Sequence, residues 1–196
     1  MELDKTIKSR RSVRKFKNKK PNWRRIIECI DAMRYAPMAG NNFTLKFILV
    51  DDKEKIQKLA EASQQDFISQ ADYVVVVCSN PSRTINAYGE KGEVYCRQQA
   101  GAAIQNFLLS IIDKGLATTW IGYFVEEQIK KILKIPEKTN VEALFPIGFE
   151  FEKPKSQKEK IDLDNVLYFN NYGNEKMNPD KKLNVWQDLF RYKNFK

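Results

Sequence analysis

From Trp23 onward the apolar residues Trp23, Ile26, Ile27, Ile30 and Met33 recur at the spacing of one helix face, with Pro21 and Asn22 at the start and Ala36-Pro37 at the stop. Leu3 and Ile7 make one turn of the same spacing, so a short helix ending near Arg10 is expected, with Ser12-Val13-Arg14 leaving it as extended chain. Leu45 to Val50 reads as a strand and is followed by a helix around Ile56 to Ala62. Tyr73 to Cys78 is an unbroken apolar run, rich in valine. Such a run predicts a strand buried on both faces, hence helices on both sides of the sheet. Ala100, Ala103, Ile104, Phe107, Leu108, Ile111 and Ile112 give a broad helical face capped by Gly115. Thr118 to Ile121 reads as a short strand, Val125 to Leu133 as a helix closed by Pro136, and Val141 to Phe149 as a last strand. Pro146 cannot donate to a ladder, which places an edge or a bulge near Gly148.

Polar stretches fill the remainder. Asn80 to Gly92, with Pro81, Gly89 and Gly92, reads as a long loop beside a pocket or interface. Beyond Glu152 the chain is polar and basic, then offers Val166 to Phe169 and a helical pattern from Val185 to Tyr192. Helices and strands alternate through residues 20–150 without a second core, so the class is α+β or α/β, with a mixed central sheet covered by helices.

Composition narrows the chemistry. The 196 residues suit one core, and no apolar stretch is long enough to span a membrane; the start lacks the apolar segment of a secretory signal. A cytoplasmic protein is the expectation. The chain has no histidine, which excludes Ser-His-Asp and Cys-His nucleophilic systems and the usual zinc hydrolases. Its three cysteines are far apart and read as small buried hydrophobes, with no metal site indicated. The net charge of +9 is local: residues 5–20 carry nine Lys/Arg and no Asp/Glu. By itself that segment fits an anion site, a nucleic-acid-binding arm or a solvated face.

Several motifs occur together. Arg10-Arg11-Ser12-x-Arg14 follows the first short helix, Asn41 stands four residues after the proline of Ala36-Pro37, and Gly115-Leu116 leads into Trp120-Ile121-Gly122. Pro146-Ile147-Gly148 closes the last strand. In this order, over about residues 3–168, the chain resembles the nitroreductase family of FMN-dependent NAD(P)H oxidoreductases. The resemblance implies a nitroreductase-type fold working as a homodimer, with residues 1–160 forming the FMN-binding domain and residues 161–196 an extension that embraces the partner. It assigns Arg10, Arg11, Ser12 and Arg14 to the FMN phosphate and ribityl chain, where guanidinium forks match phosphate oxygens. Lys158 and Lys160 match the basic pair that returns to the same phosphate. Asn41 matches the flavin-ring asparagine, while Phe43 departs from the pattern by replacing a glutamine. Ile121 and Gly122 match the stretch whose backbone faces the flavin, and Gly148 lies at the matching strand end.

The activity so implied is hydride transfer from NAD(P)H through flavin N5 to a nitroaromatic, quinone or similar acceptor, in a ping-pong cycle with no catalytic side chain. Phe43 and the segment 80–92 keep open a different reaction on the same fold, such as dehalogenation, flavin cleavage or enone reduction. A nucleic-acid-binding module using residues 5–20 is the alternative from another class; it carries no recognisable nucleic-acid motif.

Overall fold

Tyr73–Ser79 (β2) is the strand on which the fold is built, and all seven of its residues are buried. In the computed structural model, which describes residues 2–152 and 161–177, β2 lies between Leu45–Val50 (β1) and Asn140–Ile147 (β3). Both pairings are antiparallel, so the sheet expected to be mixed is antiparallel among the described residues. The chain divides into two compact units, residues 1–153 and 154–196.

Because side chains alternate along a strand, β2 needs cover on both faces. Tyr73, Val75 and Val77 face a core shared with Trp23–Ala32 (α2) and Lys91–Asp113 (α5), where Ile26, Met33, Ile104 and Phe107 are fully buried. Val74, Val76 and Cys78 face a second core with Ile56 and Leu59 of Lys53–Ser63 (α3) and Ile129 of Glu126–Leu133 (α6). Local chemistry fixes the helix ends. The side chain of Asn22 accepts from the Arg24 N–H at 3.0 Å, and Asp52 accepts from Lys55 at 3.1 Å, each satisfying an otherwise unpaired first-turn donor. A first helix, Leu3–Ser9 (α1), ends at Arg10 as the pattern indicates.

The structure also corrects two local expectations. Residues 80–92 are not a loop: Ser82–Tyr88 (α4) is helical and α5 begins at Lys91. Proline and glycine serve here as helix boundaries, and Gly92 is a packing requirement. A Cβ there would lie 2.3 Å from the backbone carbonyl of Thr84, so only glycine lets α5 cross α4 this closely. Pro146 lies on β3, the outer strand of the three-stranded sheet among the described residues, so of the two alternatives it is the edge that is met; the sheet's bulge lies between Val77 and Cys78 of β2. Finally, Thr118 to Ile121 is not a continuous strand. Ala117 bridges Gly148 and Ile121 bridges Leu144, a register that sets Thr119 opposite Pro146. Proline has no N–H to offer at that rung, so the ladder is interrupted between its two bridges. The residues still run as a fourth strip along the outer edge of β3.

In the second unit Leu163–Asn165 forms a 3₁₀ turn capped by Asp162, and the Phe169 N–H closes a tight loop on the Asn174 carbonyl at 2.7 Å. The helical pattern from Val185 to Tyr192 lies outside the described residues.

All three cysteines are buried, Cys29 at 0%, Cys78 at 1% and Cys96 at 1% exposure. Desolvation raises the Cys29 thiol pKa, and burial, aided by Glu142, pushes the Cys78 thiol up to about 11. A disulfide-exchange reagent at pH 8 is expected to release no thiol signal from the folded protein and three equivalents in denaturant. Rapid labelling of any cysteine in the native state would contradict this packing.

Candidate functional site

The basic segment after α1 is held by main-chain bonds. The Val13 N–H donates to the Thr118 carbonyl at 3.0 Å, Lys17 to Phe149 at 2.8 Å and Phe151 to Lys15 at 3.1 Å, so residues 13–17 run beside the end of β3 and the 117–121 strip. Phe16 turns inward and packs with Val13, Ala71 and Ala117. Three lysines of the run fold back on aromatic rings: Lys15 lies 4.1 Å from the Phe151 ring centroid, Lys19 5.0 Å from Phe149 and Lys20 5.1 Å from Tyr73.

The arginines separate into two kinds. Arg11 gives its fork to Glu150, with Nε 2.7 Å from Oε1 and the second nitrogen on Oε2. That bond holds the Arg11 guanidinium above its ordinary pKa. The ion pair ties the basic segment to the end of β3. Arg10 and Arg14 have no carboxylate partner among the described residues and, with the exposed Ser12 between them, remain available to an anion.

Two other residues named from the sequence are internally committed. Ile121 is 2% exposed, sits in the second core and exchanges both of its main-chain bonds with Leu144 at 3.0 Å. Gly148 exchanges its own with Ala117, and a Cβ there would lie 2.6 Å from the Phe16 ring, so its smallness serves the packing of Phe16. Gly122 differs from both. It is exposed, its N–H has no partner among the described residues, and the space beside its Cα is open to 3.7 Å. Nearby, the Thr118 hydroxyl is buried without a hydrogen-bond partner, a polar group whose burial is costly unless something else satisfies it.

Asn41 and Phe43 lie elsewhere. Asn41 ends the turn Ala39–Asn41 in the left-handed region (φ 57°), and Phe43 is 36% exposed with its edge on Phe47. Both precede β1, on the side of the sheet away from β3. A buried polar cluster fixes this turn. The Gln99 side-chain oxygen, on α5, accepts from the Thr44 N–H at 3.0 Å and the Thr44 hydroxyl at 2.5 Å. The Gln99 amide donates to the Asn42 carbonyl at 3.4 Å, and the Cys96 thiol donates to the Thr44 hydroxyl at 3.1 Å. Gln99 and Thr118 were both missed in the sequence. The one available signal for Gln99 was a polar residue among Cys96, Ala100 and Ala103 on the buried face of α5.

One chain therefore brings Arg10, Ser12, Arg14 and Gly122 to one edge of the sheet and Asn41 and Phe43 to the other. Strand order places β2 and β3 between β1 and the 117–121 strip, a lateral separation of about 14 Å at roughly 4.8 Å per strand. Lys158 and Lys160 lie outside the described residues. No described helix is long and apolar enough to cross a membrane.

Comparison with known proteins places this geometry in context. The profile of the Nitroreductase family matches residues 7–70 and 60–149. A protein of Archaeoglobus fulgidus, provisionally named an NADH dehydrogenase/NAD(P)H nitroreductase, is 28% identical over 182 residues, covering 90% of this chain and 94% of its own. The iodotyrosine deiodinase of Thermotoga neapolitana is 23% identical over 181 residues, covering 79% of this chain and 92% of its own. Among solved structures, an FMN-dependent nitroreductase from Clostridium difficile superposes with a TM-score of 0.72 at 26% identity, over 85% of this chain and 98% of that one.

The Gln99 cluster has a measurable weight. Gln99→Leu leaves the buried Thr44 N–H and hydroxyl without their acceptor, a loss expected to cost about 1–3 kcal/mol in urea unfolding. An unchanged midpoint and slope would show that the turn holds itself without the clamp.

Proposed function

Given that the chain belongs to the nitroreductase family, we propose that it is an FMN-dependent NAD(P)H oxidoreductase acting as a homodimer with each flavin between two chains. The observation that carries this reading is the placement of the candidate groups at opposite edges of one sheet. Because β2 and β3, packed under helices on both faces, lie between the two edges, a single ligand touching Gly122 and also Asn41 or Phe43 takes the two groups from different chains. Exposed apolar pairs support the pairing of chains: Leu3 and Ile7 on α1 and Trp23 and Ile27 on α2 are each one helical turn apart and 43–68% exposed.

The residues present suit FMN. Arg10 and Arg14 offer guanidinium donors and Ser12 a hydroxyl donor for the phosphate, with Lys158 and Lys160 assigned to the same group. Gly122 offers an N–H and an open approach for a flat ring, and the buried Thr118 hydroxyl is a polar group in need of a partner. The strip from Thr118 to Gly122 covers about 13 Å at roughly 3.3 Å per residue, so phosphate and ring contacts can lie along one ligand. Asn41 meets the polar edge of the ring from the other chain, and Phe43 stands beside it. When bound, FMN supplies hydride exchange at N5, and the protein's task is to hold and orient it. NAD(P)H as donor and a quinone or nitroaromatic as acceptor use the same open site in turn, which gives a ping-pong order. We place residues 1–160 in the flavin-binding body and residues 161–196 around the partner. Reductive dehalogenation is the second reading, favoured by the similarity to a deiodinase along 92% of that protein's length.

Titration is expected to give about one FMN per chain, and sedimentation at micromolar protein a dimer without monomer. Arg10→Ala removes a charge-assisted bond and should weaken FMN by about tenfold to a hundredfold while riboflavin, lacking the phosphate, scarcely changes. Absence of FMN binding would overturn the function. A stable FMN-bound monomer would overturn the two-chain site.

A further inference from the structure

Phe43, Thr44, Lys46, Asn80, Ser82 and Arg83 enclose a cleft of about 330 Å³ where the turn before β1 meets the start of α4. That volume lies at the lower end of the range for small-ligand pockets. Its chemistry is one-sided. Lys46 and Arg83 come from different elements, and neither has a partner among the described residues. The Asn80 side-chain oxygen already accepts from the Ser82 N–H at 3.0 Å, which leaves its amide NH₂ as a free donor. The Thr44 hydroxyl is bound to Gln99 and Cys96. No Asp or Glu lines the cleft among the described residues. The wall completing it is the ring of Phe43, which is 36% exposed and lies at 6.2 Å between centroids from Phe47.

Two other described cavities lack this combination. One, between α2 and α5, includes Glu28 and Asp31 beside Tyr35 and has no Lys or Arg in its lining. Another lies along α3 and mixes Lys53 and Lys58 with Glu54 and Glu61.

We propose that the Phe43–Arg83 cleft is a subsite for aromatic carboxylates, and that it orients an aromatic acid as the electron acceptor. The guanidinium fork of Arg83 matches a carboxylate bidentately, Lys46 adds a second positive charge, and Phe43 gives the ring an apolar face. The binding half of this inference stands on the cleft alone. Its role in choosing the acceptor rests on the flavin reading, which sets Phe43 beside the ring. The substitution of an amide-bearing residue by Phe43 then has a purpose, since a phenyl group lines an aromatic site where a glutamine would offer a polar one.

The test uses the full chain, with and without added FMN, and follows benzoate, benzyl alcohol, acetate and inorganic phosphate by saturation-transfer NMR and calorimetry. Benzoate is expected to bind at least about tenfold more tightly than the other three, since only it satisfies both charge and ring. Arg83→Gln and Lys46→Gln, at residues with no partner to lose, should each weaken benzoate by about tenfold while leaving FMN affinity and the thermal midpoint unchanged. In turnover, the KM for a nitrobenzoate should rise in both variants and that for nitrobenzene should not. Benzoate binding that is absent, or is unaffected by both substitutions, overturns the subsite. Phosphate binding as tightly as benzoate overturns the aromatic half. FMN binding without benzoate binding refutes this inference and leaves the oxidoreductase reading standing; benzoate binding without any FMN binding does the reverse. If benzoate binds as described but both nitro compounds keep their KM values, the cleft does not select the acceptor.

Discussion

Burial of β2 on both faces is the constraint from which the remaining arrangement follows. A strand with Val74, Val75, Val76 and Val77 all at 0% exposure cannot face water on either side, so one helical layer must cover each face. Once α2 and α5 occupy one face and α3 and α6 the other, neither face is open to a ligand. What remains are the edges of the sheet, and both groups of candidate residues lie there. The edge location follows from how the core is filled.

At each edge the polar residues are held by groups that do not themselves meet a ligand. On the β3 side the Arg11–Glu150 ion pair and the bonds from Val13 and Lys17 press the basic segment against the strand end, leaving Arg10 and Arg14 outward. On the β1 side Gln99 reaches from the central helix to hold Thr44 and Asn42, which fixes the turn carrying Asn41 and Phe43. Both are buried or half-buried hydrogen-bonded groups whose loss leaves partners unsatisfied, so they fix geometry more firmly than the exposed ion pairs elsewhere on the surface.

Membership of the nitroreductase family and the edge-to-edge separation of the candidate residues bear on each other. A flavin touching both edges calls for two chains, and the exposed apolar stripes on α1 and α2 give those chains something to bury. The departure at Phe43 gains a physical context as well, because the cleft behind it gathers donors and no acceptor carboxylate. Specificity in such a site is set by what the cleft leaves unpaired, and an anionic aromatic ligand is the one that satisfies it.

Much of the fold was legible because it depends on local periodicity and composition. The helices from Leu3, Trp23, Lys53 and Glu126, the two-sided burial of Tyr73 to Cys78 and the capping role of Gly115 each follow from spacing over a few residues. The segment 80–92 was misread because proline and glycine mark helix ends as well as loops, and only the contact of Gly92 with the Thr84 backbone separates the two. Among candidate site residues, the sequence identified the types suited to an anion and a flat ring. It could not tell Arg10 and Arg14 from Arg11, since the difference lies in Glu150, 139 residues away. Nor could it show that Ile121 and Gly148 spend their main-chain groups on Leu144 and Ala117 while Gly122 keeps its N–H free. The sequence alone determined which elements form and which chemistry the side chains offer, because propensity and charge are properties of neighbouring residues. Which of those side chains remain free, and which edge of the sheet each one reaches, was decided only by tertiary structure, because hydrogen-bond partners and strand order are set by residues far apart in the chain.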